Sequence, residues 1–225
     1  MRFVGIDPAT QTGFVALDKN GIPVVEKTFR GKGKDVKGGI SPEQRMSLFN
    51  QLYNLLQPGD VVLKEAIANG NKMIITTAKI HGGFEDMITR RKLTFEEVAP
   101  LAVKKFVDVD FRTIDKSLKS KEYEKAKKDA MAVAALKHFN YKHPSDDVVD
   151  AFIIAKICEA LYMVRNGRAM NSYPLYQHEV IWSFIDPEAY KEYDKEKQRA
   201  KKRKRPGKPA AAESHTHSKE QQFLF

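Results

Sequence analysis

Residues 2–17 read RFVGIDPATQTGFVAL, and the reading of this stretch decides the fold. It is apolar from Phe3 to Ile6 and breaks at one carboxylate, Asp7. It then turns through Pro8 and the polar Thr10-Gln11-Thr12-Gly13 corner and returns as a second apolar run. Two short apolar runs on either side of such a corner predict a β-hairpin whose first strand is buried and ends on an acid. A charge at the rim of a buried sheet costs stability unless other groups offset it. The rest of the chain is therefore read for groups able to stand beside Asp7.

Downstream, Asp18-Lys19-Asn20-Gly21 is a strong turn signal, and residues 22–29 return as a third strand, which makes an antiparallel meander. Residues 30–39, RGKGKDVKGG, form a basic loop that is either a solvated linker or a phosphate contact. Ser41-Pro42-Glu43-Gln44 starts a helix, with Ser41 as N-cap, Pro42 in the first position and Gln44 closing a capping box. Met46, Phe49, Leu52, Tyr53 and Leu56 recur at helical spacing, so this helix is expected to lay that face on the sheet. Gln57-Pro58-Gly59 stops it. Residues 60–65, DVVLKE, are the next strand, parallel to the first because a helix intervenes, and this strand also ends on an acid, Glu65.

A second helical stretch runs over 72–91 and carries His81-Gly82-Gly83, where the glycines predict close backbone approach. A short strand follows over 94–98, a helix from Pro100 to about 107, and a polar loop or lid over 108–120. Residues 121–139 form a helix that is basic on one side, Lys127 and Lys128 included, and Ala/Met/Leu on the other. HPSDDVVD (143–150) then leads into AFIIAKICEALYMV, a strongly apolar helix ending near Asn166-Gly167.

The order β-β-β-α-β-α-β-α implies an α/β fold in which three antiparallel strands are followed by parallel ones, flanked by helices. The expected domains are a folded unit over 1–166, an extension over 167–190 packing on it, and a basic tail over 191–225, helical at first and then disordered. With 225 residues, 42% of them hydrophobic, and a mean hydropathy of −0.50, one sizeable core is expected. No apolar run approaches the roughly 18 residues of a membrane span and no signal-peptide pattern opens the chain, so a cytoplasmic protein is expected. The one cysteine, Cys158, lies in the apolar helix pattern and reads as a small buried hydrophobe. Residues 191–208 hold ten Lys or Arg against three acids, which leaves +3 of the chain's net +10 for everything else, so the folded part is only mildly basic. The KKRKRPGK cluster in that tail points to a polyanionic partner, nucleic acid above all.

Four acids can converge. Asp7 and Glu65 end neighbouring parallel strands, and Asp147 and Asp150 share one face at a helix start. Asp146, four residues before Asp150, also shares that face; Asp147 is preferred as the ligand, with Asp146 as a cap or supporting acid. Each acid has a plainer role open to it, as turn initiator, surface residue or cap. Glu65 and Asp150 nevertheless adjoin segments that should be buried. Hard carboxylate oxygens in this number suit Mg2+, with Mn2+ as a substitute, rather than zinc. Two such ions about 4 Å apart would stabilise both the attacking water and the leaving oxygen in phosphodiester hydrolysis.

GIDPATQTGFVAL, VLKEAI, a glycine-bearing helix, EEVAPLAVKKFV and DDVVDAFIIA, in this order over roughly residues 1–165, resemble the RuvC-type Holliday junction resolvases of the RNase H-like superfamily. The resemblance implies an RNase H-like fold and a divalent-metal-dependent endonuclease that, as a homodimer, cuts symmetric strands of a four-way DNA junction. It implies Asp7, Glu65, Asp147 and Asp150 as the metal-binding catalytic acids, and Lys104 and Lys105 of VKKFV near DNA; Lys127 and Lys128, on the basic helix over 121–139, are expected beside them as DNA-binding residues. The chain departs from that pattern between residues 107 and 125, which are longer and more charged, and near residues 69–73, where no aromatic wedge stands. The residues beyond 165 have no counterpart. These departures look similar to phage-encoded relatives.

The chain ends Gln221-Gln222-Phe223-Leu224-Phe225, which resembles the bacterial sliding-clamp-binding peptide; Gln221, Leu224 and Phe225 would be the clamp-binding residues. Two other functions fit parts of the pattern. An actin or sugar-kinase-like phosphotransferase also begins on an Asp-ended hairpin, but its second nucleotide-binding half does not fit in 225 residues. A non-catalytic branched-DNA binder would gain nothing from acids that repel phosphate.

Overall fold

The computed structural model describes residues 1–37, 39–67 and 74–203. Its sheet has the order β3-β2-β1-β4-β5, so the opening strand lies at the centre. β1 (Phe3–Asp7) pairs antiparallel with β2 (Gln11–Leu17), and β2 pairs antiparallel with β3 (Pro23–Arg30). On its other side β1 pairs parallel with β4 (Val61–Glu65), which pairs parallel with β5 (Phe95–Val98). The β2–β3 turn forms because the Asp18 carboxylate accepts from the backbone N–H groups of Asn20 at 2.8 Å and Ile22 at 2.9 Å. Gly21 takes the left-handed φ of +77° that the turn needs.

Strand periodicity assigns each face to a helical layer. Val4, Ile6, Phe14 and Val62 point to one face, covered by α1 (Pro42–Leu55) and α2 (Ile74–Arg90). Phe3, Val15, Leu17 and Leu63 point to the other, where α5 (Asp146–Arg165) lies across β1 and β2. α3 (Pro100–Phe106), α4 (Ser120–Phe139) and α6 (Leu175–Ile185) complete that second layer.

The capping box of α1 is present: the Ser41 hydroxyl accepts from Gln44 N–H at 3.2 Å, and the Gln44 side chain accepts from Ser41 N–H at 3.0 Å. Its buried stripe is Leu48, Phe49 and Leu52, and Met46, expected on that face, is 55% exposed. The two glycines of α2 differ. A Cβ on Gly83 would stand 1.9 Å from the Phe49 ring, whereas Gly82 faces open space. Asp60, expected to begin a strand, instead closes the turn before it. Its buried carboxylate binds the Arg2 guanidinium through two bonds of 2.7 and 2.9 Å and accepts from Gln57 N–H at 2.8 Å.

The polar segment over 108–120 contains a 3-10 turn, Phe111–Thr113, started by Asp110, whose side chain accepts from Arg112 N–H at 2.9 Å. The segment after α5 folds back as a second 3-10 turn (Met170–Ser172) and α6, and the buried Gln177 side chain donates to the Phe106 carbonyl at 3.1 Å. Cys158 is buried, with its thiol on the Val61 carbonyl at 3.3 Å and its pKa pushed up to about 12 by burial.

The chain divides into two units, Met1–Pro187 and one beginning at Glu188. The described part of the second is a helix, α7 (Pro187–Arg203). The disordered stretch expected after it and the terminal Gln221, Leu224 and Phe225 lie outside the described residues, as do residues 69–73. Among the described residues no helix is long and apolar enough to cross a membrane.

Candidate active site

Asp7 is the last residue of β1 and follows Phe3 and Gly5 in the phase that faces α5. Glu65 is the last residue of β4, in phase with Val61 and Leu63 on the same face. Because Ile6 pairs with Lys64 in the parallel register, the next step of the ladder sets Asp7 beside Glu65. Across the hairpin Asp7 pairs with Gly13.

Two glycines let α5 reach this corner. A Cβ on Gly13 would lie 1.9 Å from the Asp147 carbonyl oxygen, and one on Gly5 would lie 2.1 Å from that of Ala151. The first turns of α5 therefore rest on bare backbone of β1 and β2, close enough for Asp147 and Asp150 to act on Asp7. Ser145 is the N-cap residue of α5, so Asp146 stands in the first turn rather than as the cap, and it forms an ion pair with Lys128.

Burial is the largest influence on three of these acids. It pushes the Asp7 carboxyl up to about 6, with the nearby charge of Asp147 adding to the effect. It pushes Asp150 to about 7, supported by the charges of Asp7, Asp146 and Asp147 and opposed by Lys104. Glu65 rises furthest, to about 8, through burial and then the charges of Asp7 and Asp150, again opposed by Lys104. A hydrogen bond joins Asp7 to Glu65, so the two carboxyls share a proton as a pair. Asp147 is held otherwise, accepting a short hydrogen bond from the Gln11 side-chain amide.

Clefts open on both sides. One of about 360 Å3 is lined by Asp7, Thr10, Glu65, Thr76 and His81. The other, of about 190 Å3, is lined by Glu65 and Asp150 together with Lys104, Lys127, Lys128 and Phe111. The Phe111 ring gathers two of these cations, with Lys104 Nζ 5.1 Å and Lys127 Nζ 5.7 Å from its centroid. Lys127 is also paired with Glu124 at 2.7 Å. Lys105 turns the other way, to an ion pair with Glu179 of α6.

A polar group that strand patterning did not single out lies behind the acids. Lys64, fully buried on the α2 face of β4, directs its ammonium to His81 Nδ1 at 3.3 Å, to Glu85 at 3.0 Å and to Glu97. Three donors thus meet three acceptors, which satisfies a buried cation. Burial first, and then the charge of Lys64, hold the His81 pKa down at about 4, and the His81 ring also bonds the Pro8 backbone. The one available signal was a lysine at a core position inside VVLKE. Gln11 carried no signal, since its partner is 136 residues away.

Among the described residues no three His, Cys, Asp or Glu side chains form a ready-made metal cage. The donor set nevertheless suits a hard divalent cation. Asp7, Glu65, Asp147 and Asp150 offer only carboxylate oxygens, and three of them are held away from ionisation by burial and mutual repulsion, which a cation among them would relieve.

No family model matches the chain, and no curated protein does. Among solved structures, Thermus thermophilus RuvC in complex with a Holliday junction substrate is similar with a TM-score of 0.50 and 14% identity, over 74% of this chain and 97% of that one. A second structure of Thermus thermophilus RuvC gives 0.48 and 16% over the same shares, 74% and 97%. At such identity the likeness is one of fold: the chain has an RNase H-like mixed sheet of the kind found in RuvC.

Proposed function

We propose that this chain is a divalent-metal-dependent endonuclease that cuts four-way junctions and related branched DNA. The observation that carries the reading is the meeting of Asp7, Glu65 and Asp150, all with raised pKa, under the glycine-seated start of α5. Burying acids together without compensation is costly, and their purpose is then to hold cations. Asp7, Glu65, Asp147 and Asp150 would be the residues that hold two Mg2+ ions, with Mn2+ able to substitute. When bound, such ions polarise the scissile phosphate and supply a hydroxide nucleophile near neutral pH.

The chain's own residues supply the rest. Lys104, Lys127 and Lys128 line the cleft beside Glu65 and Asp150, where they neutralise phosphate charge and orient the strand. Gln11 holds the Asp147 carboxylate and so limits its rotation. Lys64 and His81 support the backbone that carries Glu65 and Asp7. The basic tail adds sequence-independent affinity for DNA.

Symmetric cutting of a four-way junction needs two active sites, so the working form is a homodimer, acting in the cytoplasm. The domain roles proposed are nuclease for 1–166, packing extension for 167–190 and basic tail for 191–225. The charged 107–125 segment and the chain beyond 165 mark a phage-type relative. The test separates cutting from binding. Asp150→Asn should lose Mg2+-dependent cleavage by orders of magnitude and keep junction affinity measured in Ca2+; loss of both would assign Asp150 to folding instead.

A further inference from the structure

The loop joining β3 to α1 lies outside the acid cluster and is strongly basic. It carries Arg30, Lys32, Lys34 and Lys37, and none of these forms an ion pair with another described residue. Two acids stand beside them, and each accepts a hydrogen bond that ties the loop to α1. Asp35 accepts from the Gln44 amide at 2.8 Å, and Glu43 accepts from the Lys34 backbone N–H at 3.4 Å.

The loop backbone is nevertheless tied down along one face of α1. Ser47 accepts from Lys32 N–H at 3.1 Å, and Gln51 donates to the Arg30 carbonyl at 2.9 Å. Gly31 lies so close to α1 that a Cβ there would stand 2.1 Å from the Gln44 carbonyl oxygen. A solvated linker needs neither the ties nor the close approach. A backbone held in place beneath unpaired cations is the arrangement of an anion site.

Its position suggests which anion. β1, β3, β4 and β5 run in the same direction, so Arg30, Asp7, Glu65 and the start of α3 all emerge at one edge of the sheet. The loop borders a cleft of about 490 Å3 lined by Arg30, Lys32 and Thr10, with one acid, Asp35, among them. Thr10 also lines the cleft of Asp7 and Glu65, and Glu65 lines the cleft of Lys104 and Lys127. The clefts thus share lining residues in series, and the strand order sets Asp7 and Glu65 between Arg30 and Lys32 on one side and Lys104 and Lys127 on the other.

We infer that the β3–α1 loop is a second phosphate track, which holds the DNA backbone on the side of the acids away from Lys104, Lys127 and Lys128. This rests on the nuclease reading for its substrate, not for its geometry. Neighbouring strands lie about 4.8 Å apart, so β3 stands about 10 Å from β1. The loop therefore lies within a few nucleotides' reach of a backbone that passes the acids.

The test uses the full chain with Arg30, Lys32, Lys34 and Lys37 all changed to Gln, binding a four-way junction in Ca2+ over a range of salt. Each phosphate that the variant no longer neutralises should make the slope of log K against log salt shallower by about 0.9. The expected change is a slope shallower by about 2 to 4, with the footprint on the DNA retracting on one side of the cut. An unchanged slope and footprint in a protein of unchanged Tm overturns the inference. Should the fourfold variant melt early, Lys32→Gln with Lys37→Gln, both exposed side chains, gives the same readout with a slope shallower by about 1 to 2. A parent that binds through the loop yet never cuts would overturn the nuclease reading and leave the track standing. A parent that cuts with a loop-independent slope would do the reverse.

Discussion

At Asp7 two demands meet, since the residue closes a buried strand and also carries a carboxylate that burial disfavours. The same conflict holds for Glu65 and Asp150, and it has a measurable sign. All three have folded-state pKa values above their ordinary ones, at about 6, 8 and 7 for Asp7, Glu65 and Asp150. The folded metal-free protein therefore binds more protons than the unfolded chain between about pH 4 and about pH 8. The stability these groups allow is fully present below their ordinary pKa and is lost as pH rises through the folded values. Thermal midpoints in chelator should fall across that range, and Mg2+ should raise the midpoint more at about pH 8 than at about pH 5. An equal Mg2+ effect at both pH values would count against these acids as the binding site. Asp7 and Glu65 were legible because a period of two fixes which strand-end side chains share a face. Lys104 and Lys105 were not separable, because adjacent residues on a short helix differ only by rotation, and it is Glu179 of α6 that draws Lys105 away. Lys64 was missed because its one signal, a lysine at a core position of VVLKE, gains its meaning from partners that α2 and β5 bring in.

At the scale of elements, α5 and its seat on the hairpin decide whether a site exists. The order of strands and helices could be read from turn signals, the Ser41–Gln44 capping box and the apolar run of α5. The seat could not, since Gly5 and Gly13 look like ordinary strand glycines until the crossing point of α5 is known. Met46 shows the same limit on α1, where helical spacing set it on the packed face and the packing instead buries Leu48 with Phe49 and Leu52. Gly13→Ala should push α5 off the sheet, because its Cβ meets rigid backbone at 1.9 Å. Overpacking of this kind costs about 1–3 kcal/mol. Denaturant titration should register that loss, and cleavage should fall further than stability alone explains, since Asp147 and Asp150 move with the helix. Wild-type stability and activity in Gly13→Ala would show that the glycine seat does not hold α5 in place.

For the whole molecule, charge distribution separates chemistry from delivery. The tail holds most of the net +10, whereas the clefts around the acids carry a few placed cations. The terminal Gln221, Leu224 and Phe225 would add a third mode of delivery by docking in a sliding clamp. Deleting residues 221–225 should abolish pull-down by a cognate clamp and leave junction cleavage intact; unchanged pull-down would discard the clamp peptide. Everything else depends on the four acids, and cleavage reads them directly. Four-way, Y-shaped and linear DNA should be incubated with Mg2+ and either the parent or Asp7→Asn. The expected outcome is Mg2+-dependent cutting of the branched substrates by the parent, little on linear duplex, and none by Asp7→Asn. A parent that binds the junction and never cuts it, or an Asp7→Asn that cuts as well as the parent, would refute the role given to these carboxylates.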